Sequence, residues 1–331
     1  MSTDRLRIGI LGAARIAPMA LVRPARSVPG VTIDAVAARD PQRARDFANK
    51  HSIGRVHAGY SELIADPEID AIYNPLPNSH HCEWTIRALE AGKHVLCEKP
   101  LASNASEAQQ MAEAAARSGR VLMEAFHWRY HPLAARMREI VESGELGRVQ
   151  HLEVEFCIPL LRPGDIRYRL DLAGGATMDV GCYAINIIRH LAGAEPEVVD
   201  AQAKLSSPGV DRVMTANLRW SDGRSGRIHC ALLSPVLMRM RAVARGDRGE
   251  MRVFNPIAPQ FFHRLRVNTQ NGRRSERVAG DASYTHQLRA FVAAVRSGHP
   301  FPSTPEDGVK NMQVIDAVYT RAGLSPRGAN R

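Results

Sequence analysis

Apolar residues follow two regimes along this chain. Up to about residue 130, short apolar runs alternate with stretches of helical spacing. Leu6–Leu11, Val31–Ala37, Ala71–Asn74, His94–Glu98 and Val121–Ala125 read as buried strands, with a shorter one beginning at Val56. Between them the spacing predicts helices from near Arg15 to Ala25, from Pro41 to His51, and over Tyr60–Ala65, Ser79–Ala91 and Ser106–Ser118. Pro18 and Pro24 give the first of these an irregular course. Asp40 suits an N-cap, with Pro41 at the first helical position. Strands alternating with helices of this length point to βαβ units and a parallel sheet.

After His131 the pattern changes. One helix runs through Met137 to about Ser143, and Gly144 and Gly147 end it. Val149–Phe156 then alternates apolar and polar residues with period two. Similar segments recur near Val198–Leu205, Val213–Trp220, Ser225–Leu233, Met238–Ala244, Glu250–Phe254 and Arg264–Val267. Further helices are expected at Met178–Leu191, Tyr284–Ser297 and Glu306–Thr320. This is the signature of a half-exposed, predominantly antiparallel open sheet, whose free face needs a cover or a partner. A homodimer or homotetramer formed through that sheet is the expectation.

The chain has 331 residues, too many for one core of ordinary size, so two domains are expected. Its net charge of +10 raises the question of nucleic acid, an anionic membrane or a phosphorylated ligand. The arginines are scattered, however. The densest groups, Arg43–Arg45, Arg239–Arg241 and Arg273–Arg274, are short and carry no interleaved aromatics, so no nucleic-acid partner is expected. Cys82, Cys97, Cys157, Cys182 and Cys230 are odd in number and irregularly spaced, neither a disulfide framework nor a zinc motif. The adjacent His80-His81 pair cannot share a helical face, and no metal is indicated. No apolar run approaches the ~18 residues of a membrane span. The sequence is already strand-like by Leu6, without the apolar core of a signal peptide. A cytoplasmic enzyme is the expectation.

The first strand leads directly into Gly12-Ala13-Ala14-Arg15-Ile16-Ala17 at the start of a helix. A dinucleotide fingerprint requires a tight turn, close backbone approach to pyrophosphate, and close helix–strand packing. Gly12 supplies the turn and Ala17 is small enough for the packing, while Ala14 replaces the usual middle glycine. Amides at the helix start, around Ala14, Arg15 and Ile16, would face phosphate. The second strand ends Ala37-Ala38-Arg39, where an NAD enzyme usually places Asp or Glu for the ribose hydroxyls. Arg39 cannot accept those bonds but can hold a 2′-phosphate, so NADP(H) is favoured over NAD. The fold class is therefore α/β. A Rossmann dinucleotide-binding domain over 5–127 precedes an α+β substrate-binding and oligomerisation domain over 128–331.

The run Ala88-Leu89-Glu90-Ala91-Gly92-Lys93-His94-Val95-Leu96-Cys97-Glu98-Lys99-Pro100, preceded by Pro77-Asn78-Ser79-His80, resembles the signature of the Gfo/Idh/MocA oxidoreductases. Glu124-Ala125-Phe126-His127-Trp128-Arg129 and Ala173-Gly174-Gly175 through Asp179-Val180-Gly181-Cys182-Tyr183 extend the match, which runs from Leu6 to Thr320. The last motif is most similar to the branch holding glucose–fructose oxidoreductase, dimeric dihydrodiol dehydrogenases and NADP-linked xylose dehydrogenases. Neither the leader nor the cofactor-clasping arm of glucose–fructose oxidoreductase is evident, which implies an exchangeable cofactor. The resemblance implies a catalytic role for Lys99 and a cis peptide before Pro100. It also implies cofactor contacts by Trp128 and Arg129 at the nicotinamide end, with Pro77, Asn78 and His80 along the same rim.

Hydride transfer to or from a carbinol needs a group that stabilises charge on oxygen and a route for its proton. Lys99 follows a buried strand, so its ammonium would project from the carboxyl edge where α/β sheets bind ligands. Asp179 and Tyr183 stand four apart on a predicted helix and so share a face. A phenol is a poor proton donor near neutrality unless a cation lowers its pKa. Tyr183 is thus the expected proton relay, with Lys99 converging on it as electrostatic partner. Asp179 would bind substrate hydroxyls or orient Lys99, and Gly174-Gly175 would let the helix start approach the cofactor. Glu98 is open to orienting Lys99, reaching the cofactor ribose, or a structural role. His80 is open to capping its helix or touching ligand, and Arg167 and Arg169 to contacting substrate oxygens or solvent. The expected activity is an NADP(H)-dependent oxidoreductase acting on a sugar or diol. The alternatives are an NADPH-dependent ketoreductase of a modified or activated sugar, and a non-catalytic NADP-binding regulator.

Overall fold

A computed structural model describes residues 5–162 and 164–329, so the last two positions of the expected second domain lie outside the described residues. The chain forms two compact units, and the first is not continuous in sequence. Residues 1–102, 106–130 and 284–309 make unit 1, while 103–105, 131–283 and 310–331 make unit 2. A single cut near residue 127 therefore does not separate them.

Unit 1 is built on strands β1 (Leu6–Leu11), β2 (Val31–Ala37), β3 (Arg55–His57), β4 (Ala71–Asn74), β5 (His94–Cys97) and β6 (Leu122–Glu124), in the order β3-β2-β1-β4-β5-β6. Every pairing is parallel. All six carboxyl ends therefore lie on one edge of the sheet, and the strand order reverses between β1 and β4, the crevice where doubly wound sheets take ligands. The irregular first helix is a π turn, Pro18–Val22, running into the short α1 (Arg23–Ala25). Next come α2 (Pro41–His51), α3 (Tyr60–Ala65), α4 (His81–Glu90) and α5 (Ala105–Ser118). Asp40 caps α2 as expected, its carboxylate accepting from the Gln42 and Arg43 amides.

The chain returns late to complete this core. In α8 (Ser283–Ser297), Tyr284, Leu288, Phe291 and Val292 recur at the spacing of one helical face and are buried with Leu6, Ile8 and Ile10 of β1. Burying each such side chain contributes about 1.5–3 kcal/mol.

Unit 2 contains α6 (Pro132–Glu142), α7 (Cys182–Ala192) and an eight-stranded sheet. Its strands are β7 (Val149–Cys157), β8 (Glu197–Ser207), β9 (Val210–Arg219), β10 (Ser225–Ala231), β11 (Arg239–Gly246), β12 (Gly249–Phe254), β13 (Arg264–Thr269) and β14 (Gly272–Glu276). All pairings are antiparallel except β7 with β10. Leu152 and Val154 of β7 are fully buried, and Glu153 and Glu155 alternate with them on the open face. There Arg241 pairs with Glu153 at 3.1 Å and Glu155 at 2.6 Å, and Arg245 pairs with Glu250 at 2.7 Å. The last helix, α9 (Pro305–Arg321), begins among the residues of unit 1 and ends among those of unit 2. Among the described residues, no helix is long and apolar enough to cross a membrane.

Candidate active site

Each candidate residue of unit 1 sits on the carboxyl edge of the parallel sheet. Gly12 follows β1 with φ +86°, a conformation that favours glycine, and a Cβ there would stand 3.1 Å from Leu76. The helical turn opens just beyond it. The Ala17 amide donates to Ala14 O at 3.2 Å, and the Ala20 amide to Ile16 O at 2.9 Å. Amides before this point have no intrahelical acceptor, so the segment of Ala14, Arg15 and Ile16 fits a phosphate despite the missing middle glycine. Ala17 is fully buried, as close helix–strand packing requires.

Arg39 follows β2 and is exposed. Its amide faces the Tyr60 hydroxyl, whose pKa is raised by burial against the opposing pull of Arg39. Tyr60 also stacks edge-on with Trp84, ring centroids 5.0 Å apart. Neither aromatic was legible as part of this rim.

The β4 exit carries Pro77 and a 3₁₀ turn over Asn78–His80. His80 makes no side-chain cap on α4, which removes that role. The neighbouring His81 is fully buried, with Nε2 2.8 Å from Leu76 O and Nδ1 2.9 Å from Pro100 O. Burial pulls its pKa down to about 4, against the two carbonyls that favour the charged ring.

At the end of β5, Glu98 is held by the Tyr73 hydroxyl, which donates to Oε1 at 2.6 Å, while the Lys99 amide stands 3.4 Å from Oε2. Lys99 is half-buried and is joined to Pro100 by a cis peptide. The Leu101 amide donates to buried Glu124 at 2.8 Å. His127 is neutral beside Lys99: burial, then the lysine's charge, lower its pKa to about 3. Its ring lies 3.9 Å, centroid to centroid, from that of Tyr284, whose phenol burial and Glu98 push upward. Tyr73, His127 and Tyr284 thus surround the Glu98-Lys99 segment, and no local spacing announces a residue arriving from position 284.

Trp128 and Arg129 lie in a 3₁₀ turn over His127–Tyr130. Trp128 has no exposed surface, so its ring packs within the wall instead of offering a face to the nicotinamide. Arg129 is ion-paired with Asp307.

In unit 2, Asp179 lies in a π turn, Thr177–Gly181, that leads into α7, which carries Tyr183. Tyr183 is 6% exposed and meets Phe156 edge-on at 5.6 Å. Arg167 donates to Asp179 at 2.7 Å and to Asp165 at 3.1 Å, so it is a partner of the candidate acid. Arg169 pairs with Asp171 at the surface. The two glycines before the helix have an internal reason. A Cβ on Gly174 would stand 2.6 Å from Arg167 O, and one on Gly175 (φ +133°) 2.1 Å from Asp211 Oδ1. Close packing of protein on protein thus replaces close approach to a cofactor as the demand for glycine.

Residues 6–126 match the model of the oxidoreductase family with an NAD-binding Rossmann fold, and residues 134–252 that of the GFO/IDH/MocA C-terminal domain. An uncharacterised oxidoreductase of Rhizobium meliloti is 37% identical, over 96% of this chain and 97% of its own. An NADP⁺-dependent D-xylose 1-dehydrogenase of Haloferax volcanii is 34% identical, with 96% and 97% covered. Among solved structures, the 3-ketoreductase KijD10 of Actinomadura kijaniata, in complex with NADP and TDP-benzene, superimposes with a TM-score of 0.89 at 29% identity, covering 96% of this chain and 98% of its own. Variants of KijD10 with one tyrosine or one lysine replaced have also been crystallised in complex with TDP-benzene and NADP. Two matched domains, near-complete coverage and the motifs on the sheet edge agree: the chain belongs to the GFO/IDH/MocA oxidoreductase family.

Proposed function

We propose that this protein is an NADP(H)-dependent oxidoreductase that moves a hydride between the nicotinamide and a carbinol or carbonyl carbon of a sugar or diol. The observation that carries the reading is the setting of Lys99. It follows β5 on the ligand-binding edge of the sheet, flanked by a carboxylate held by Tyr73 and by a neutral His127. A cation among such groups can stabilise negative charge on a substrate oxygen.

Gly12, Ala14, Arg15 and Ile16 would hold the pyrophosphate, Arg39 the 2′-phosphate, and Pro77, Asn78, His80, Glu98, Lys99 and Arg129 the nicotinamide half. NADP(H), when bound, supplies or accepts the hydride at C4 of its nicotinamide. The residues of this chain do the rest. Lys99 stabilises charge on the substrate oxygen, Tyr183 relays its proton, and Asp179, oriented by Arg167, binds a substrate hydroxyl. The NADP-linked xylose dehydrogenase supports both cofactor and substrate class.

A second reading is an NADPH-dependent ketoreductase of a nucleotide-activated sugar, favoured by the similarity to KijD10 over nearly the whole chain. Fluorescence titration with NADPH and NADH, then turnover of pentoses, hexoses, trans-diols and dTDP-keto sugars, separates the two. Absence of NADPH binding would refute both. The expected state is a homodimer or homotetramer in the cytoplasm. The open face of the unit 2 sheet supports assembly, since Phe254 stands exposed there and exposed Phe262, from the loop that follows, packs on it with ring centroids 5.8 Å apart. A monomer in size-exclusion chromatography with light scattering would refute it.

A further inference from the structure

The helix start that carries Asp179 is fixed by a buried cluster drawn from distant parts of unit 2. Asp211 is completely buried. Its Oδ2 accepts from the Thr177 amide and from Thr177 Oγ1, both at 2.7 Å. Its Oδ1 accepts from the Tyr319 hydroxyl at 2.9 Å and from Arg327 Nη2 at 2.7 Å. Arg327 is 2% exposed, donates through Nε to Gly174 O at 2.8 Å, and lies 4.0 Å over the Tyr319 ring. The Arg327 carbonyl in turn accepts from Asn104 Nδ2 at 2.7 Å, and Asn104 follows Lys99 by only a few positions in the chain. Burial, reinforced by Asp211, holds the Tyr319 phenol far above its ordinary pKa, so it remains a donor.

A buried ion pair is weak evidence for stability, because desolvation offsets its attraction, and its best-attested use is to fix one geometry. Here the two ions hold both ends of one turn, Arg327 bonding to Gly174 and Asp211 to Thr177, just before Asp179 and Tyr183. We propose that Arg327 is a positioning residue for the reaction. As the buried counter-ion of Asp211, the C-terminal segment sets the first turn of the helix that presents Asp179 and Tyr183. This rests on the reading that those two residues act on substrate.

The test uses the full-length chain with Arg327→Ala, Arg327→Lys and Tyr319→Phe. Each variant is measured for NADPH affinity, for kcat and KM on whichever substrate the wild type turns over, and for hydrogen exchange at the amides of 177–183. Arg327→Ala should lower kcat by about 10²-fold, as small misplacements of catalytic groups do, with NADPH affinity unchanged. Exchange at those amides should quicken about tenfold. Arg327→Lys keeps the charge but not the forked donation, and should recover part of the loss. Wild-type kcat, or unaltered exchange, in Arg327→Ala would overturn the proposal. Should that variant not fold, Tyr319→Phe removes one hydrogen bond and leaves the ion pair, and its kcat should fall about threefold or more. Wild-type kcat and exchange in Tyr319→Phe would overturn the proposal equally. A wild-type protein that turns over none of the substrates defeats the activity reading, whereas the exchange data decide the positioning of the helix by themselves.

Discussion

Nδ1 of His81 stands 2.9 Å from the carbonyl oxygen of Pro100, so one buried ring on α4 holds the residue that follows Lys99. Its other nitrogen stands 2.8 Å from Leu76 O, so the ring lies between the exits of β4 and β5 and, when neutral, donates its one proton to one of the two carbonyls. His81→Ala leaves a cavity and takes the donor from one of the two carbonyls, at an expected cost of about 2–4 kcal/mol. It should also depress kcat by loosening Lys99. Urea unfolding and steady-state kinetics check both, and a wild-type unfolding midpoint would count against the assignment.

Lys99→Ala should lose about 10²- to 10⁴-fold in kcat, the range for removing a group that assists proton transfer, while NADPH still binds. Tyr183→Phe should fall in the same range, with its substrate KM little changed. Single-turnover kinetics beside NADPH titration separate chemistry from binding. Turnover at wild-type rate in either variant would remove that residue from the mechanism.

Arg39→Asp should invert cofactor preference. A charged hydrogen bond is worth about 1.5–3 kcal/mol, so NADPH affinity should fall about tenfold to a hundredfold, while NADH affinity holds or improves. Parallel fluorescence titrations measure the ratio, and equal loss for both nucleotides would indicate a disturbed loop instead of a lost 2′-phosphate contact.

Stability should decline on the acid side of neutrality. Burial lowers His81 to about 4, and burial with the charge of Lys99 lowers His127 to about 3, whereas an unfolded histidine takes its proton near 6.5. Below that pH the unfolded chain binds more protons than the folded one. The stabilisation is therefore complete above about pH 6.5 and drains away as pH falls toward the folded values. Each ring should cost about 2 kcal/mol by pH 5, since one pH unit corresponds to about 1.4 kcal/mol. Urea unfolding at pH 7.5 and pH 5 gives the difference, and equal midpoints would contradict it.

Much of this was legible in the sequence because it is local. Asp40-Pro41 announces the start of α2, the β1–Gly12 turn announces a nucleotide loop, and period-two alternation marks β7. Strand β14 escaped notice because Gly272–Glu276 is nearly all polar and exposed at a sheet edge, with no buried face to impose a pattern. Pro18 and Pro24 mark the first helix as irregular, but the π turn at Thr177–Gly181 reads as plain helix, since a single wider turn leaves too short a signature in apolar spacing. Trp128 shows the limit of carrying a role over by motif, for its position is on the rim while its ring is inside the wall. His81, Tyr73 and Tyr284 were missed because their partners are far away in sequence.

The return of Tyr284, Leu288, Phe291 and Val292 to the first strands has a consequence for biosynthesis. As the polypeptide leaves the ribosome, the opening half of the molecule emerges with an apolar flank that nothing yet shields. That flank stays bare until residues 284–292 have been translated, after every strand of the eight-stranded sheet, so the nucleotide-binding lobe should mature late.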